Sequence, residues 1–311
     1  MAVHGHYKVT VVGAGFVGST SAQRLVEKNI ADVALVDIVP EVAKGKALDM
    51  MQSAPVLGFD AKIEGGTGYD HTKDSDVVLI TAGIPRKPGM SRSDLLKTNA
   101  DIVGGVVRQC MEKSPNAVIV VVSNPLDVMT YLAHKVSGLP DNKVMGMAGV
   151  LDAARFRTFI AMELGCSIQD VEALLLGGHG DTMVPLPRFS TVSGIPLSDL
   201  LPKEKIDALV DRARNGGAEI VGLLKTGSAY YAPSASSVAM IQSILWNERR
   251  ILPSCAHVKG MYGMADAWVG VPCTLGRNGI EQIHELKLDA GELAALHKSA
   301  DAVKADIALI G

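Results

Sequence analysis

Gly13-Ala14-Gly15-Phe16-Val17-Gly18 constrains this chain more than any other stretch, because of what flanks it. Tyr7 to Val12, just before, is a short alternating β-rich run. Ser19 to Glu27, just after, has helix-forming composition, with Ala22, Leu25 and Val26 at helical spacing. Glycines alone carry little weight, but between a strand and a helix each has a physical task. Gly13 permits the tight turn, Gly15 lets backbone N–H groups approach a pyrophosphate, and Gly18 lets helix pack on strand. The start of the helix adds partial positive charge for phosphates. A second run, Asp32 to Val36, ends in Asp37, 19 residues beyond Gly18. A carboxylate there binds a ribose diol and repels a 2′-phosphate. Ile38-Val39-Pro40 offers no cation to hold one. The stretch predicts an NAD site, favoured over NADP, contacted by Gly13, Ala14, Gly15, Phe16, Val17, Gly18 and Asp37.

The alternation continues. Glu41 to Met51 reads as a helix, Ile63 lies in a short strand, and Val77 to Thr81 is a strand ending at Ala82-Gly83. Ser91 and Asp94 give an N-terminal cap signal for a further helix. Ala117 to Val122 (AVIVVV) is a strand, Leu126 to Val136 a helix and Val144 to Met147 a last short strand. Apolar strands alternating with helices predict a parallel sheet covered on both faces. The fold class is therefore α/β: a Rossmann-type doubly wound parallel sheet over residues 1–147, followed by a mixed α+β substrate domain over 148–311. Ligands of such sheets bind at the carboxyl ends of the strands, where Gly13, Asp37 and Gly83 all fall.

Composition narrows the partners. Apolar residues make up 48% of 311, enough for a large packed core. A formal charge of −3 gives no broad field for nucleic acid or an anionic membrane. No apolar stretch approaches membrane-spanning length, and the start lacks a secretory pattern. Cys110, Cys166, Cys255 and Cys273 show no metal or redox spacing and read as buried thiols, which suits a reducing compartment. A cytoplasmic protein is expected.

Several residues carry chemistry. Ile84 to Arg92 holds Arg86, Lys87 and Arg92 with two prolines and a glycine, a solvated basic loop or a lid bringing arginines over an anion. Arginine suits a carboxylate because its planar fork bonds both oxygens. Asn99 lies on the polar side of the helix that follows. Asn124, before Pro125, stops its strand at the sheet's carboxyl edge with an amide free to donate and accept. Asp152 and Arg155 share a helix face, as a surface ion pair or as partners in a cleft. Val171 to Leu176 reads as one buried strand, and His179 follows it between glycines, with an ordinary pKa suited to proton transfer.

Together GAGFVG (13–18), Asp37, AGIPRKPGMSR (82–92), VSNPLDV (122–128), LDAARFR (151–157) and GGHGDTMVP (178–185) resemble the lactate/malate dehydrogenase family, in its bacterial lactate dehydrogenase-like malate group. The resemblance covers nearly the whole chain. It implies hydride transfer between NAD and a 2-hydroxy acid. It makes His179 the acid/base, Asp152 its partner, Arg155 the holder of the substrate's C1 carboxylate and Arg92 the arginine that polarises the reacting carbonyl. Asn124 matches a contact to the reacting oxygen and the substrate. The backbone at Val122, Ser123 and Asn124 lies along the cofactor, and Asn99 matches a cofactor contact. Arg86 matches the position that is arginine in malate dehydrogenases and glutamine in lactate dehydrogenases, so a dicarboxylate substrate is implied. The family often has a cis peptide at the position of Pro125, and its members are dimers or tetramers.

The remaining chain says less. Arg188 to Leu197 reads as a hairpin around Ser193-Gly194. Lys203 to Arg214 is a helix, Gly216-Gly217 a kink or break, and Ala218 to Leu224 its resumption. Ala232 to Trp246 and Leu293 to Ile310 are helices; Ala256 to Val258 and Ala267 to Val271 are strands. His257 reads as a satisfied core histidine, and His4, His6, His71, His134, His284 and His297 as structural or surface residues. No spacing of His, Cys and acids predicts a metal. Lactate or another 2-hydroxy acid as substrate, and a non-catalytic NAD-binding sensor, stay open as rival readings.

Overall fold

A computed structural model describes residues 7–85 and 91–311; of Arg92 only the backbone is described. Six short strands come first: β1 (Lys8–Val12), β2 (Asp32–Val36), β3 (Ile63–Gly66), β4 (Val77–Ile80), β5 (Val118–Val121) and β6 (Val144–Gly146). They alternate with α1 (Phe16–Glu27), α2 (Pro40–Leu57), α3 (Arg92–Lys113) and α4 (Leu126–Ser137). The strands pair in parallel in the order β3-β2-β1-β4-β5-β6, the doubly wound order.

The strands are continuous apolar runs because both faces of the sheet are covered. Val77, Leu79, Val118 and Val120 belong to one core, beside Leu25 of α1 and Ala43 of α2. Their neighbours Val78, Ile80, Ile119 and Val121 belong to the other, beside Val103 of α3 and Met129 of α4. The two-residue period of a strand thus distributes one apolar run between two helical layers.

After α5 (Gly149–Leu164) the strands are β7 (Val171–Glu172), β8 (Leu175–Gly177), β9 (Met183–Pro185), β10 (Thr191–Val192), β11 (Ile195–Pro196), β12 (Arg250–Val258), β13 (Ala267–Gly276) and β14 (Gly279–Ile283). The helices are α6 (Leu197–Leu200), α7 (Lys203–Leu224), α8 (Tyr231–Leu245) and α9 (Ala290–Ile307). β12 pairs antiparallel with β6, so among the described residues one eleven-stranded sheet runs through both halves. A three-stranded sheet, β11-β10-β7, lies apart.

Several expectations change here. The run Val171 to Leu176 is not one strand. β7 pairs in the small sheet and β8 in the large one. Val171 and Leu175 lie in a third core and Leu176 in the first, with Glu172 of β7 exposed between Val171 and Leu175. α2 runs on to Leu57 through Pro55 and ends at Gly58, whose φ is 76°. α7 is unbroken at Gly216-Gly217. A Cβ at Gly216 would lie 3.0 Å from Arg155 Cδ; these glycines let α7 approach the Arg155 side chain. β14 had no sequence signal, and Cys166 is half-buried rather than buried.

Candidate active site

The glycine turn has the geometry its sequence demands. Gly13 has φ 101°, and its N–H donates to Val36 O at 2.7 Å. A Cβ at Gly18 would fall 1.8 Å from Gly13 O, so only glycine lets α1 sit this close to β1. In front of Gly15 the Cβ position meets nothing within 4 Å, which leaves the backbone approachable. α1 has no side-chain cap and no acid in its first turn, so its N-terminal N–H groups stay available to an anion. Asp37 Oδ2 accepts from Ala14 N at 2.6 Å and Oδ1 from Val39 N at 3.0 Å, placing the carboxylate beside the turn. The Phe16 ring points elsewhere, stacked on Tyr230 at 5.1 Å. These residues fit a dinucleotide.

From the carboxyl ends of β1, β4 and β5 a cleft of about 510 Å³ opens toward the second half of the chain. Val17, Asn99, Val122, Ser123 and Asn124 line it together with Arg155 and His179. That volume is ordinary for a small-molecule site. The Asn124–Pro125 peptide is cis. Asn99 is 2% exposed, not on a solvent face. Its Oδ1 accepts from Ile84 N at 2.8 Å, and its Nδ2 donates to Asn124 O at 2.7 Å and Ile84 O at 3.2 Å. It braces the base of the 82–85 segment against the Asn124 turn. Arg86 lies outside the described residues, as does the Arg92 side chain. The start of α3 is well defined: Ser91 and Asp94 form a reciprocal capping box.

The reactive pair stands at the inner wall. Asp152, on the first turn of α5, is buried at 2% exposure. Its Oδ2 accepts from His179 Nδ1 at 2.9 Å, and its Oδ1 from Arg155 Nη1 at 3.3 Å. With Nδ1–H committed, His179 Nε2 is the ring nitrogen that no described residue bonds. Burial works against a charged imidazole at His179. The charge and hydrogen bond of Asp152, with the charge of Asp127 behind them, outweigh it and raise the pKa above the ordinary histidine value. Arg155 lies against Gly216 and Gly217. Its Nε is buried on that side and has no partner among the described residues, while the residue itself lines the cleft.

Two residues of the site had escaped the sequence reading. Asp127 Oδ2 accepts from the His179 backbone N–H at 2.8 Å, and the buried carboxylate also faces the Cys255 thiol. Burial pushes its pKa up, against the hydrogen bond from His179. Ser299 Oγ, from α9, accepts from Gly178 N at 2.8 Å. Between them they fix the glycine-rich loop that carries His179. An acid in the first turn of α4 reads from sequence as a dipole partner. Ser299 lies 121 residues from Gly178 and gives no local signal.

A dinucleotide turn sharing its cleft with a histidine–aspartate pair and an arginine defines the class: an NAD-dependent dehydrogenase. The comparisons give the family. The lactate/malate dehydrogenase NAD binding domain matches residues 7–146, and the lactate/malate dehydrogenase alpha/beta C-terminal domain matches residues 149–310. The chain belongs to the lactate/malate dehydrogenase family. It is 61% identical to a malate dehydrogenase of Chloroherpeton thalassium over 298 residues, 96% of each chain. It is 57% identical to one of Synechocystis over 301 residues, covering 97% of this chain and 93% of the relative. The malate dehydrogenase structure from Salinibacter ruber aligns with TM-score 0.94 at 50% identity over 97% of both chains. A lactate dehydrogenase from Cryptosporidium parvum, complexed with lactic acid and NAD, aligns with TM-score 0.95 at 41% identity over 98% of both.

Proposed function

We propose that this protein is a malate dehydrogenase, interconverting (S)-malate and oxaloacetate with NAD. The observation that carries the reading is the His179–Asp152 pair facing the same cleft as the Arg155 guanidinium. NAD, when bound, supplies the hydride acceptor or donor at C2. In oxidation, neutral His179 accepts the C2 hydroxyl proton at Nε2; in reduction, protonated His179 returns it to the carbonyl oxygen. Asp152 fixes the tautomer and stabilises the imidazolium, as a carboxylate does in a catalytic triad. Arg155 holds the C1 carboxylate. Arg92 stabilises charge growing on the C2 oxygen. Asn124 contacts the reacting oxygen, and Arg86 pairs with the second carboxylate. Gly13 to Gly18, Asp37, Asn99 and the backbone of Val122 to Asn124 hold the cofactor. The same reading divides the chain into an NAD-binding part, 1–147, and a substrate part, 148–311.

The test is reduction of NAD by (S)-malate with the purified chain. Tight NAD binding without turnover on any 2-hydroxy acid would favour a sensor instead. Replacing Asp37 by Ser together with Ile38 by Arg removes the carboxylate and adds a cation. The ratio of kcat/KM for NADP to that for NAD is expected to rise at least about tenfold; an unchanged ratio would remove Asp37 from ribose binding. Gly216→Val crowds the Arg155 stem. It is expected to raise the KM for oxaloacetate severalfold while leaving NADH affinity alone, as steady-state kinetics would show.

The chain is proposed to work as a homodimer or homotetramer in the cytoplasm. Val42, Leu48, Val56 and Leu57 of α2 and Val221, Leu223 and Leu224 of α7 are exposed apolar side chains that a second copy would cover. The free thiols support a reducing compartment. No described helix is long and apolar enough to cross a membrane.

A further inference from the structure

At the amino end of β6, away from the cleft at its carboxyl end, three segments converge. His134 comes from the last turns of α4, Asp141 from the turn before β6, and His257 from near the end of β12. His134 Nε2 lies 3.0 Å and His257 Nδ1 2.9 Å from the same oxygen, Asp141 Oδ1. The ligand atoms of the three residues all lie within 4.8 Å of one another. The other ring nitrogen of His257 is taken by a second carboxylate, Asp266 Oδ1, at 2.6 Å. Trp268 stacks on the His257 ring at 4.6 Å and packs on His134 at 5.1 Å. The sequence spacing predicted no metal site. The fold gathers the ligands from positions 116 residues apart.

We propose that His134, Asp141 and His257 form a binding site for a divalent transition ion of the zinc class, separate from the cleft. Two imidazoles and one carboxylate are the donors such an ion takes, and magnesium or calcium, which take oxygen donors, are poorly served. Tetrahedral zinc with bonds of about 2.1 Å sets its ligands about 3.4 Å apart. Small side-chain shifts therefore bring this triad to that geometry. Asp266 performs the usual outer task for a ligating histidine: it accepts the remaining N–H and fixes the ring. His257 is largely buried, at 10% side-chain exposure, whereas Asp141 at 39% leaves an entry path and room for a water as fourth ligand. Lys259 Nζ, 2.7 Å from Asp141 Oδ2, is the competing cation. It sits on a half-exposed, flexible stem and must yield when the ion enters. Because α4 and β12 come from different halves of the chain, the ion ties those halves together.

The test uses the full chain with His4→Gln and His6→Gln, so that the terminal histidines do not contribute, and zinc chloride as the probe. Calorimetry is expected to give one ion per chain at micromolar affinity. Saturating zinc should raise the melting temperature by a few degrees. Ni²⁺, in the same site, should quench the fluorescence of Trp268. His134→Gln or His257→Gln should each weaken binding at least tenfold, and Asp266→Asn about ten- to a hundredfold. Lys259→Met should tighten it, a gain that a purely structural ion-pair cluster would not produce. Turnover of oxaloacetate reports that each variant is folded. Zinc binding that is indifferent to both histidine substitutions, or weaker than about 1 mM in the starting protein, would overturn the proposal. So would weaker binding in a folded Lys259→Met variant.

Discussion

Asp152→Asn is expected to lower kcat for oxaloacetate reduction by about 10²- to 10⁴-fold with the fold retained. Asp152 holds both its partners through charge: His179 Nδ1 at 2.9 Å and Arg155 Nη1 at 3.3 Å. An amide in its place accepts with one atom and donates with the other. It therefore supports a mixture of ring tautomers and does nothing for an imidazolium. The pH profile separates this from simple damage. His179 titrates above the ordinary histidine value because of Asp152. With His179 as the proposed acid/base, oxaloacetate reduction needs the protonated ring, so its kcat/KM is expected to hold on the acid side and fall as pH rises through that raised pKa. Malate oxidation needs the neutral ring and rises over the same interval. In Asp152→Asn the residual activity for reduction should fall away at lower pH than in the wild type. Turnover near the wild-type level, or an unmoved alkaline limb, would remove Asp152 from the mechanism.

Arg155→Leu is expected to lower kcat/KM for oxaloacetate by about 30- to several thousand-fold, the equivalent of roughly 2–5 kcal/mol for deleting one member of a buried, hydrogen-bonded charge pair. The guanidinium is wedged between Asp152 and the glycines of α7. Arg155→Lys keeps the charge and loses the fork, so partial recovery, chiefly in KM, is the expected mark of carboxylate binding. Equal activity of the Leu and Lys variants would mean that Arg155 supports the helix contact and not the substrate. NADH affinity should change little in either.

Most of the first half was legible because each local signal had one physical solution. An apolar run ending in a glycine turn and followed by a helix leaves few alternatives. The Ser91–Asp94 box marked the start of α3, and Asp37 stands where the end of β2 puts it. Legibility failed where a local signal fits more than one structure. The one polar residue of Val171 to Leu176 is Glu172, exposed on β7, and a single outward residue is compatible with one continuous strand, so the period could not reveal the break that follows it. Gly216-Gly217 looked like a helix breaker, whereas the glycines are there to admit the Arg155 side chain. Asn99 looked polar-faced, but its amide is consumed inside the protein, between Ile84 and Asn124. Contacts across long separations left no trace: Ser299 on Gly178, Asp127 on the backbone of His179, and His257 with Asp141. Of the site itself, His179, Asp152, Arg155 and Asn124 were nameable from sequence. The carboxylate behind the histidine loop emerged only with the fold.

The measurement that tests the central claim most directly is NADH oxidation with oxaloacetate and with pyruvate, for the wild type and for Arg86→Gln. Pyruvate has no second carboxylate, so on the proposed role of Arg86 it leaves that guanidinium without its partner, a penalty of up to several kcal/mol. A strong wild-type preference for oxaloacetate is expected, on the order of a hundredfold or more in kcat/KM, reduced or reversed in Arg86→Gln. A wild-type preference for pyruvate, or equal preference in both proteins, would contradict it.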